Sequence, residues 1–437
     1  MTTTGDEAPA EGEGAAAEDV APSYPMLESP ADGVPDVIVD ERALTAAAAA
    51  IAAGHGPVAL DAERASGFRY GNRAYLVQLR REGAGLFLID PIACPDLSPI
   101  DEAIGDAEWV LHAATQDLAC LAEVGLRPKA LFDTELGGRI AGLKRVGLAA
   151  VIEHYLGVTL AKEHSAADWS TRPLPEPWLR YAALDVEVLV QVRDLMYADL
   201  AASGKLDWAL QDFEALLSFT GPPVRTDPWR RTSGMHKIRE RRALARVREL
   251  WQTRDALARE RDIAPGRLLP DALIVAMATT PPTSADELTA LGAAPPAPGA
   301  PPRRSRKPHH GLLRYQRDWL AALERVGVMS ERALPPASVR GDGPPPVRAW
   351  ADRNPVAAAR LSQVRDRLGA YGEEHGVPLE NLVTPESLRR LIWNAPNVWD
   401  ERLIREQLAS YGARPWQVDA VTPLVVQAVE DHPVTDE

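Results

Sequence analysis

Short apolar runs at Val37–Val39, Val58–Leu60, Tyr75–Leu79 and Leu86–Ile89 read as strands split by turns. Alanine-rich Leu44–Ala53 falls between the first two and predicts a helix. Trp109–Leu111 reads as a further strand, followed by a helix from Thr115 to Val124. This alternation is an α/β pattern. Beyond Leu131 the apolar spacing turns helical and ends with Pro177–Leu200, where a proline near the start suits the first turn of one long helix.

These elements place a first domain at residues 36–205. Pro222, Pro223 and Pro228 interrupt any helix in a connector over 206–234. From Met235 a basic amphipathic helix runs toward Arg261 with Leu244, Val247, Leu250 and Trp251 on one stripe, opening an all-helical domain at 235–293. Residues 294–310, rich in Pro, Ala and Arg, read as a linker. Helical periodicity returns over 311–437. There the segment from Arg365, RDRLGAYGEEHGVPLENLVTPESLRRL, loosely repeats RDALARERDIAPGRLLPDALIVA from Arg254, which suggests a duplicated helical module. Residues 1–35, rich in Ala, Glu, Gly and Pro, have little to bury and read as a disordered acidic tail.

With 46% hydrophobic and 25% charged residues, the 437-residue chain has the composition of an ordinary globular protein of several domains. Cys94 and Cys120 are too few for a disulfide framework or a cysteine-based zinc site. The N-terminus lacks the basic flank and apolar run of a signal peptide, so the expectation is a cytoplasmic protein with no membrane partner.

The formal charge of −14 argues at first against a nucleic-acid partner. However, eight acids and no Lys or Arg precede Pro35, and without them the balance is −6. Arg225–Arg248 carries nine basic residues against Asp227 and Glu240, and Arg303–Arg317 carries six against none. Arg230, Arg231, Lys237, Arg241 and Arg242 are therefore the candidate phosphate contacts.

The chemistry-bearing stretch is VALDAERASGFRYGNRAYLVQL. Asp61 and Glu63 stand two apart at the end of a buried strand, so both face the same side. Two carboxylates held together repel and lose solvation unless a cation or protons compensate. In WVLHAATQDLACLAEVG, Asp117 follows a strand and reaches toward the same sheet edge. In PEPWLRYAALDVEVLV, Tyr181 and Asp185 lie one helical turn apart on one face. Oxygen ligands without His or Cys suit Mg²⁺ or Mn²⁺ rather than zinc, and suit phosphate chemistry. Lone His112, at a strand end, reads as a hydrogen-bonding core residue rather than a base.

The order D-x-E, H-x4-D, Y-A-A-x-D resembles ribonuclease D and its DEDDy-type 3′–5′ exonuclease relatives over residues 36 to about 300. LFDTELGGRIAG and VIEHYLGVTLAKEHSAADWSTRPL add to the likeness. The resemblance implies a ribonuclease H-like α/β exonuclease domain with a central mixed sheet, followed by all-α HRDC-like domains. The first of these lies within Arg242–Leu291, and a divergent second follows Gly311. It implies two divalent metal ions, Mg²⁺ or Mn²⁺: Asp61, Glu63 and Asp185 on the first, Asp61 also on the second, Asp117 holding the second through water. Tyr181 would orient the attacking water. His164, Ser165, Asp168 and Trp169 fall in a segment that flanks the site in the family. The chain departs from the family at Ala62, where threonine is common, and at Trp178, often glutamine, which we read as a packing residue.

The activity this resemblance implies is that of a 3′–5′ exoribonuclease. Such an enzyme releases nucleoside 5′-monophosphates from RNA with a free 3′ end, tRNA and other stable-RNA precursors among them; the sequence leaves the oligomeric state open, with a monomer as the expectation. Two alternatives stand beside it. The metal chemistry is indifferent to the sugar, so DNA is one alternative substrate. The other is a scaffold that binds nucleic acid without cutting, against which all five motif residues argue.

Overall fold

The computed structural model describes residues 24–160, 166–292, 309–339, 341, 343–394 and 400–431. In chain order the first half comprises β1 (Met26–Leu27), β2 (Val37–Ile38), α1 (Glu41–Ala53), β3 (His55–Arg64), β4 (Ala74–Glu82), β5 (Gly85–Ile89), α2 (Ser98–Ile104), β6 (Trp109–Leu111), α3 (Leu118–Glu123), β7 (Leu131–Asp133), α4 (Thr134–Ala141), α5 (Leu148–Leu156), β8 (Thr159–Leu160), α6 (Glu176–Glu187), α7 (Leu189–Ala202) and α8 (Leu206–Leu216). Six strands form one mixed sheet in the order β2-β5-β4-β3-β6-β7. β3 runs antiparallel to β4 and parallel to β6, so the C-terminal ends of β3 and β6 meet at one edge.

The sheet is covered on both sides, which explains the uninterrupted apolar run in β3. Val58, Leu60 and Ala62 pack with α1, α2 and α3, while Ala59 joins Leu76, Leu88, Val110 and the buried alanines of α6 on the other face. A third cluster joins Phe132 of β7 to Met196 and Phe213, whose ring lies 4.6 Å from that of Phe132.

Several sequence-based boundaries move. The tail assigned to residues 1–35 is structured from residue 24. β1 pairs in parallel with β8, the Ala31 amide donates to Glu187 Oε1 (3.0 Å), and Asp32 faces Arg80 at 3.8 Å. Residues 1–23 lie outside the described residues. The first domain does not close at 205, because α8 buries Ala209 and Phe213 against it. The single helix expected over Pro177–Leu200 is two, α6 and α7, divided at Val188 (φ −113°, ψ 8°).

The helices of the second half are α9 (Arg241–Arg261), α10 (Pro265–Leu268), α11 (Asp271–Thr279), α12 (Ala285–Gly292), α13 (His310–Arg314), α14 (Gln316–Gly327), α15 (Trp350–Arg353), α16 (Pro355–His375), α17 (Leu379–Leu382), α18 (Pro385–Trp393), α19 (Glu401–Ser410) and α20 (Pro415–Glu430). The helix expected from Met235 begins only at Arg241, because Ile238 (ψ 120°) and Glu240 (ψ 130°) are extended. The domain placed at 235–293 is also too short. Leu312, Tyr315 and Trp319 share one core with Leu244, Leu250 and Ile274, so 311–327 belongs to the second unit and not to the third. Most of the expected 294–310 linker, including its Arg303–Lys307 run, lies outside the described residues.

The third unit has its own core, from Trp350 to Ala428. Its α16, α17 and α18 have 21, 4 and 9 residues, as do α9, α10 and α11. Both sets of bounds differ by the same 114 residues (355 against 241, 393 against 279). Buried Leu250, Leu268 and Ile274 thereby match buried Val364, Leu382 and Leu388. The sequence repeat, anchored at Arg254 and Arg365, has an offset of 111 and so needs a shift of three residues to match this register.

Candidate active site

The end of β3 sets the site. Period two turns Asp61 and Glu63 toward α6, opposite the face that carries Leu60 and Ala62. α6 begins at a proline-marked turn and packs Ala182, Ala183 and Val186 on the sheet, which leaves Tyr181 and Asp185 facing the strand end. Carboxylate oxygens of Asp61, Glu63 and Asp185 all come within 4.8 Å of one another. Asp117 enters from the segment after β6, at the N-cap of α3, and is buried. These residues line one cavity of about 440 Å³ together with Tyr181, His112, Arg64 and Gln116.

The electrostatics are those of a site short of positive charge. Glu63 is pushed up to about 10, first by burial and then by repulsion from Asp61, Asp185 and Asp117. Asp61, Asp117 and Asp185 shift upward too, with burial the leading cause in each. Burial, then the charges of Asp185, Glu63 and Asp61, drives the Tyr181 phenol far up, and its hydroxyl hydrogen-bonds to Asp185. Asp117 Oδ1 is buried without a hydrogen bond. A cluster of hard oxygen donors that repel one another, one of them with an ion pair to Arg64 but no hydrogen bond, fits a divalent cation. Asp61, Glu63 and Asp185 could hold one ion directly, with Asp117 offering a ligand to a second.

His112 is lowered to about 4 by burial, and its Nδ1 lies 2.9 Å from Thr134 Oγ1, as befits a neutral structural histidine. Trp178 packs on Trp169, ring centroids 5.5 Å apart. Trp169 is fully buried, Asp168 accepts from the Ser170 hydroxyl at 2.5 Å, and His164 and Ser165 lie outside the described residues.

Two contributors escaped sequence reading. Asp133, the N-cap of α4, accepts from the amides of Ala113 (3.0 Å), Ala114 (2.8 Å), Glu135 (2.9 Å) and Leu136 (3.2 Å). It thereby fixes the turn that delivers Asp117, where Ala113 is held at φ 58°. The signal was present in D-T-E, an N-cap pattern. Arg64 is the second, 3.4 Å from Asp117 Oδ1.

The five basic candidates do not converge on the cavity. Arg230 binds Asp227 and the Pro336 carbonyl, and covers the Trp229 ring. Arg241 donates to the carbonyls of Glu331, Leu334 and Pro335, and Arg242 to those of Val326 and Met329 and to Glu331. Arg241 and Arg242 tie the start of α9, and Arg230 the turn before it, to the end of α14 and the segment that follows, so their charge is largely spent inside the protein. Arg231 and Lys237 are exposed.

Comparison with known proteins finds relatives over most of the chain. The model of the 3′-5′ exonuclease family matches residues 36–201, that of the HRDC domain residues 243–297, and that of the 3′ to 5′ exonuclease C-terminal domain residues 343–429. The match to that C-terminal domain covers most of the third unit. Ribonuclease D of Escherichia coli (strain K12) is 32% identical over 283 residues, 64% of this chain and 71% of that protein. Its crystal structure, described as that of an exoribonuclease involved in structured RNA processing, superposes with a TM-score of 0.65 at 26% identity, covering 91% of this chain and 99% of that one. Ribonuclease D of Gluconacetobacter diazotrophicus is 30% identical over 76% of this chain and 80% of its own. A crystal structure of a protein from Bifidobacterium adolescentis gives a TM-score of 0.82 at 38% identity, over 93% of this chain and 100% of that one.

Proposed function

The chain belongs to the ribonuclease D family, and from that premise we propose how its acidic cavity works and on what. It is a metal-dependent 3′–5′ exoribonuclease. Hydrolysis adds water across the terminal P–O3′ bond: a nucleoside 5′-monophosphate leaves and the 3′-oxygen of the shortened chain takes a proton. The observation that carries the reading is the meeting of Asp61, Glu63 and Asp185 within 4.8 Å, with Tyr181 on the same helix face as Asp185.

In this reading Asp61, Glu63 and Asp185 would hold one divalent ion, and Asp61 and Asp117 would serve a second. Bound ions supply the positive charge that acidifies water and stabilises the leaving oxygen. Asp185 accepts the Tyr181 hydrogen bond and so fixes the phenol beside the metal ligands. The phenol stays protonated, because ionising it would add a negative charge among four carboxylates. It can therefore orient a water without competing for its proton. The apolar wall of Leu148, Ala149, Leu160 and Leu189 bounds the cavity where the terminal nucleotide would lie.

Substrate, metal and setting are also part of the proposal: precursors of tRNA and other stable RNA with free 3′ ends, Mg²⁺ or Mn²⁺, and a cytoplasmic monomer. Both curated relatives described above carry the name ribonuclease D, and the Escherichia coli structure is described as that of an exoribonuclease involved in structured RNA processing. No helix among the described residues is long and apolar enough to cross a membrane.

The test is degradation of matched 5′-labelled RNA and DNA, with free or blocked 3′ ends, in Mg²⁺ or EDTA, by wild type and Asp185→Asn. The expected result is a ladder from free RNA 3′ ends only, lost in EDTA and in Asp185→Asn. Faster cutting of DNA would replace RNA as the substrate, and binding without cutting would leave a scaffold.

A further inference from the structure

Arg64 comes directly after Glu63, so regular strand alternation would send its side chain to the opposite face of the sheet. The β3–β4 register slips at this point, Glu63 opposing Leu76 but Arg64 opposing Ala74. The extra residue is Tyr75 of β4, so the ladder is disrupted where Arg64 stands. Arg64 consequently lines the acidic cavity, where Nη1 donates to the Gln116 carbonyl at 2.7 Å, while Nη2 lies 3.3 Å from Gln116 Oε1 and 3.4 Å from Asp117 Oδ1. Its side chain is 25% exposed against 5% for Asp117, which puts the guanidinium at the rim and the carboxylate beneath.

Among the residues lining the cavity, Arg64 is the one permanent cation, since the other basic side chain, His112, is buried. An RNA end must bring its phosphates past four carboxylates to reach the reaction site. A guanidinium has five N–H donors and pairs with phosphate oxygens two at a time. The contacts with Gln116 and Asp117 occupy Nη1 and Nη2, while the side chain keeps a quarter of its surface exposed.

Resting on the exoribonuclease reading, we propose that Arg64 binds an RNA backbone phosphate at the mouth of the active site, taking it in place of Asp117 as its charged partner. Its contact is with the substrate and not with a metal ion, which separates it from a residue that merely holds Asp117 in position.

The experiment compares full-length wild type, Arg64→Met and Arg64→Lys. Binding of a fluorescent single-stranded RNA, protected by 3′ phosphorothioate linkages, is measured by anisotropy in Mg²⁺ over a range of KCl concentrations. Mn²⁺ affinity is measured in parallel by electron paramagnetic resonance. Arg64→Met should weaken RNA binding about tenfold at low salt. It should also make the dependence of log affinity on log salt shallower by about 0.7, the loss of one single-strand phosphate contact. Arg64→Lys should keep most of that slope, and Mn²⁺ affinity should not fall in either variant. An unchanged slope in Arg64→Met overturns the proposal. So does a loss of Mn²⁺ affinity that matches the loss of RNA affinity, because Arg64 would then act through Asp117. If wild type binds this RNA but fails to shorten an unprotected one, the exonuclease reading falls while the slope still judges Arg64. Absence of RNA binding by wild type overturns both.

Discussion

Asp61 and Glu63, two apart on a strand, and Tyr181 and Asp185, four apart on a helix, were legible as pairs because period two and period 3.6 each dictate a face, whereas Asp117 was read only from following a strand. Arg64 was not legible. Its orientation depends on a register slip against β4, which the local sequence does not encode. At this scale Tyr181→Phe should lower kcat about a hundredfold or more while Mn²⁺ affinity changes less than about tenfold, because the phenol orients water and is not a metal ligand. Single-turnover rates beside metal titration would check it, and a parallel loss of both would make Tyr181 a support for Asp185 instead. The cluster also predicts a pH dependence. Glu63 is raised to about 10, so its contribution to stability is full below 4.5 and is lost as pH rises toward 10. Near neutrality the free cluster retains protons that a metal must displace. Apparent Mn²⁺ affinity should therefore rise about tenfold per pH unit between roughly pH 6 and 8 for one proton released. A flat profile would mean that the carboxylates are already ionised.

Among the elements, the loop between β3 and β4 does more than turn the chain. The Phe68 carbonyl accepts from the Ala264 amide (3.0 Å), and Arg267 lies 3.8 Å over the Phe68 ring and donates to the Gly67 carbonyl at 2.6 Å. The Tyr70 hydroxyl bonds Asp255 at 3.0 Å and Arg259 at 3.0 Å, both on α9. The strand that carries Asp61 and Glu63 thus continues into a clamp held by the second unit. Tyr70→Phe removes the shared hydroxyl and leaves Asp255 to Arg259 alone, 3.3 Å away. Because the clamp is partly exposed, the loss should be about 1 kcal/mol, seen as a shifted denaturant midpoint with an unchanged m-value. No shift would mean that water replaces the phenol at no cost. This clamp was invisible in the sequence, as was the break at Val188, where valine lies among residues with helical spacing. The strands, by contrast, could be read directly from short apolar runs bounded by turns.

For the whole molecule, the question is what fastens the third unit, which has a core of its own, to the exonuclease domain. Trp416 stacks on Trp208 with centroids 4.9 Å apart and donates from Nε1 to Asp212 (3.2 Å), while Arg414 approaches Asp212 at 3.1 Å. The second fastening is a backbone contact. Gly142 ends α4 at φ +94°, and a Cβ there would meet the Gly376 carbonyl oxygen at 2.7 Å. Gly376 in turn ends α16, the long helix of the repeated module. Gly142→Ala introduces both a strained φ and a backbone collision, with no flexible side chain to give way. The two together should destabilise the docked state by roughly 2–4 kcal/mol. Gly266→Ala is the matched control, having no positive φ and open space around its Cβ position. Calorimetry should show the wild-type transition splitting in Gly142→Ala, the third unit melting apart from the first, while Gly266→Ala stays close to wild type. An undivided transition at an unchanged temperature would show that the two glycines meet without holding anything. If the split appears and 3′-end trimming slows with it, the third unit contributes to the reaction from a distance, by keeping the exonuclease domain braced on the side that carries α4 and the Asp133 cap.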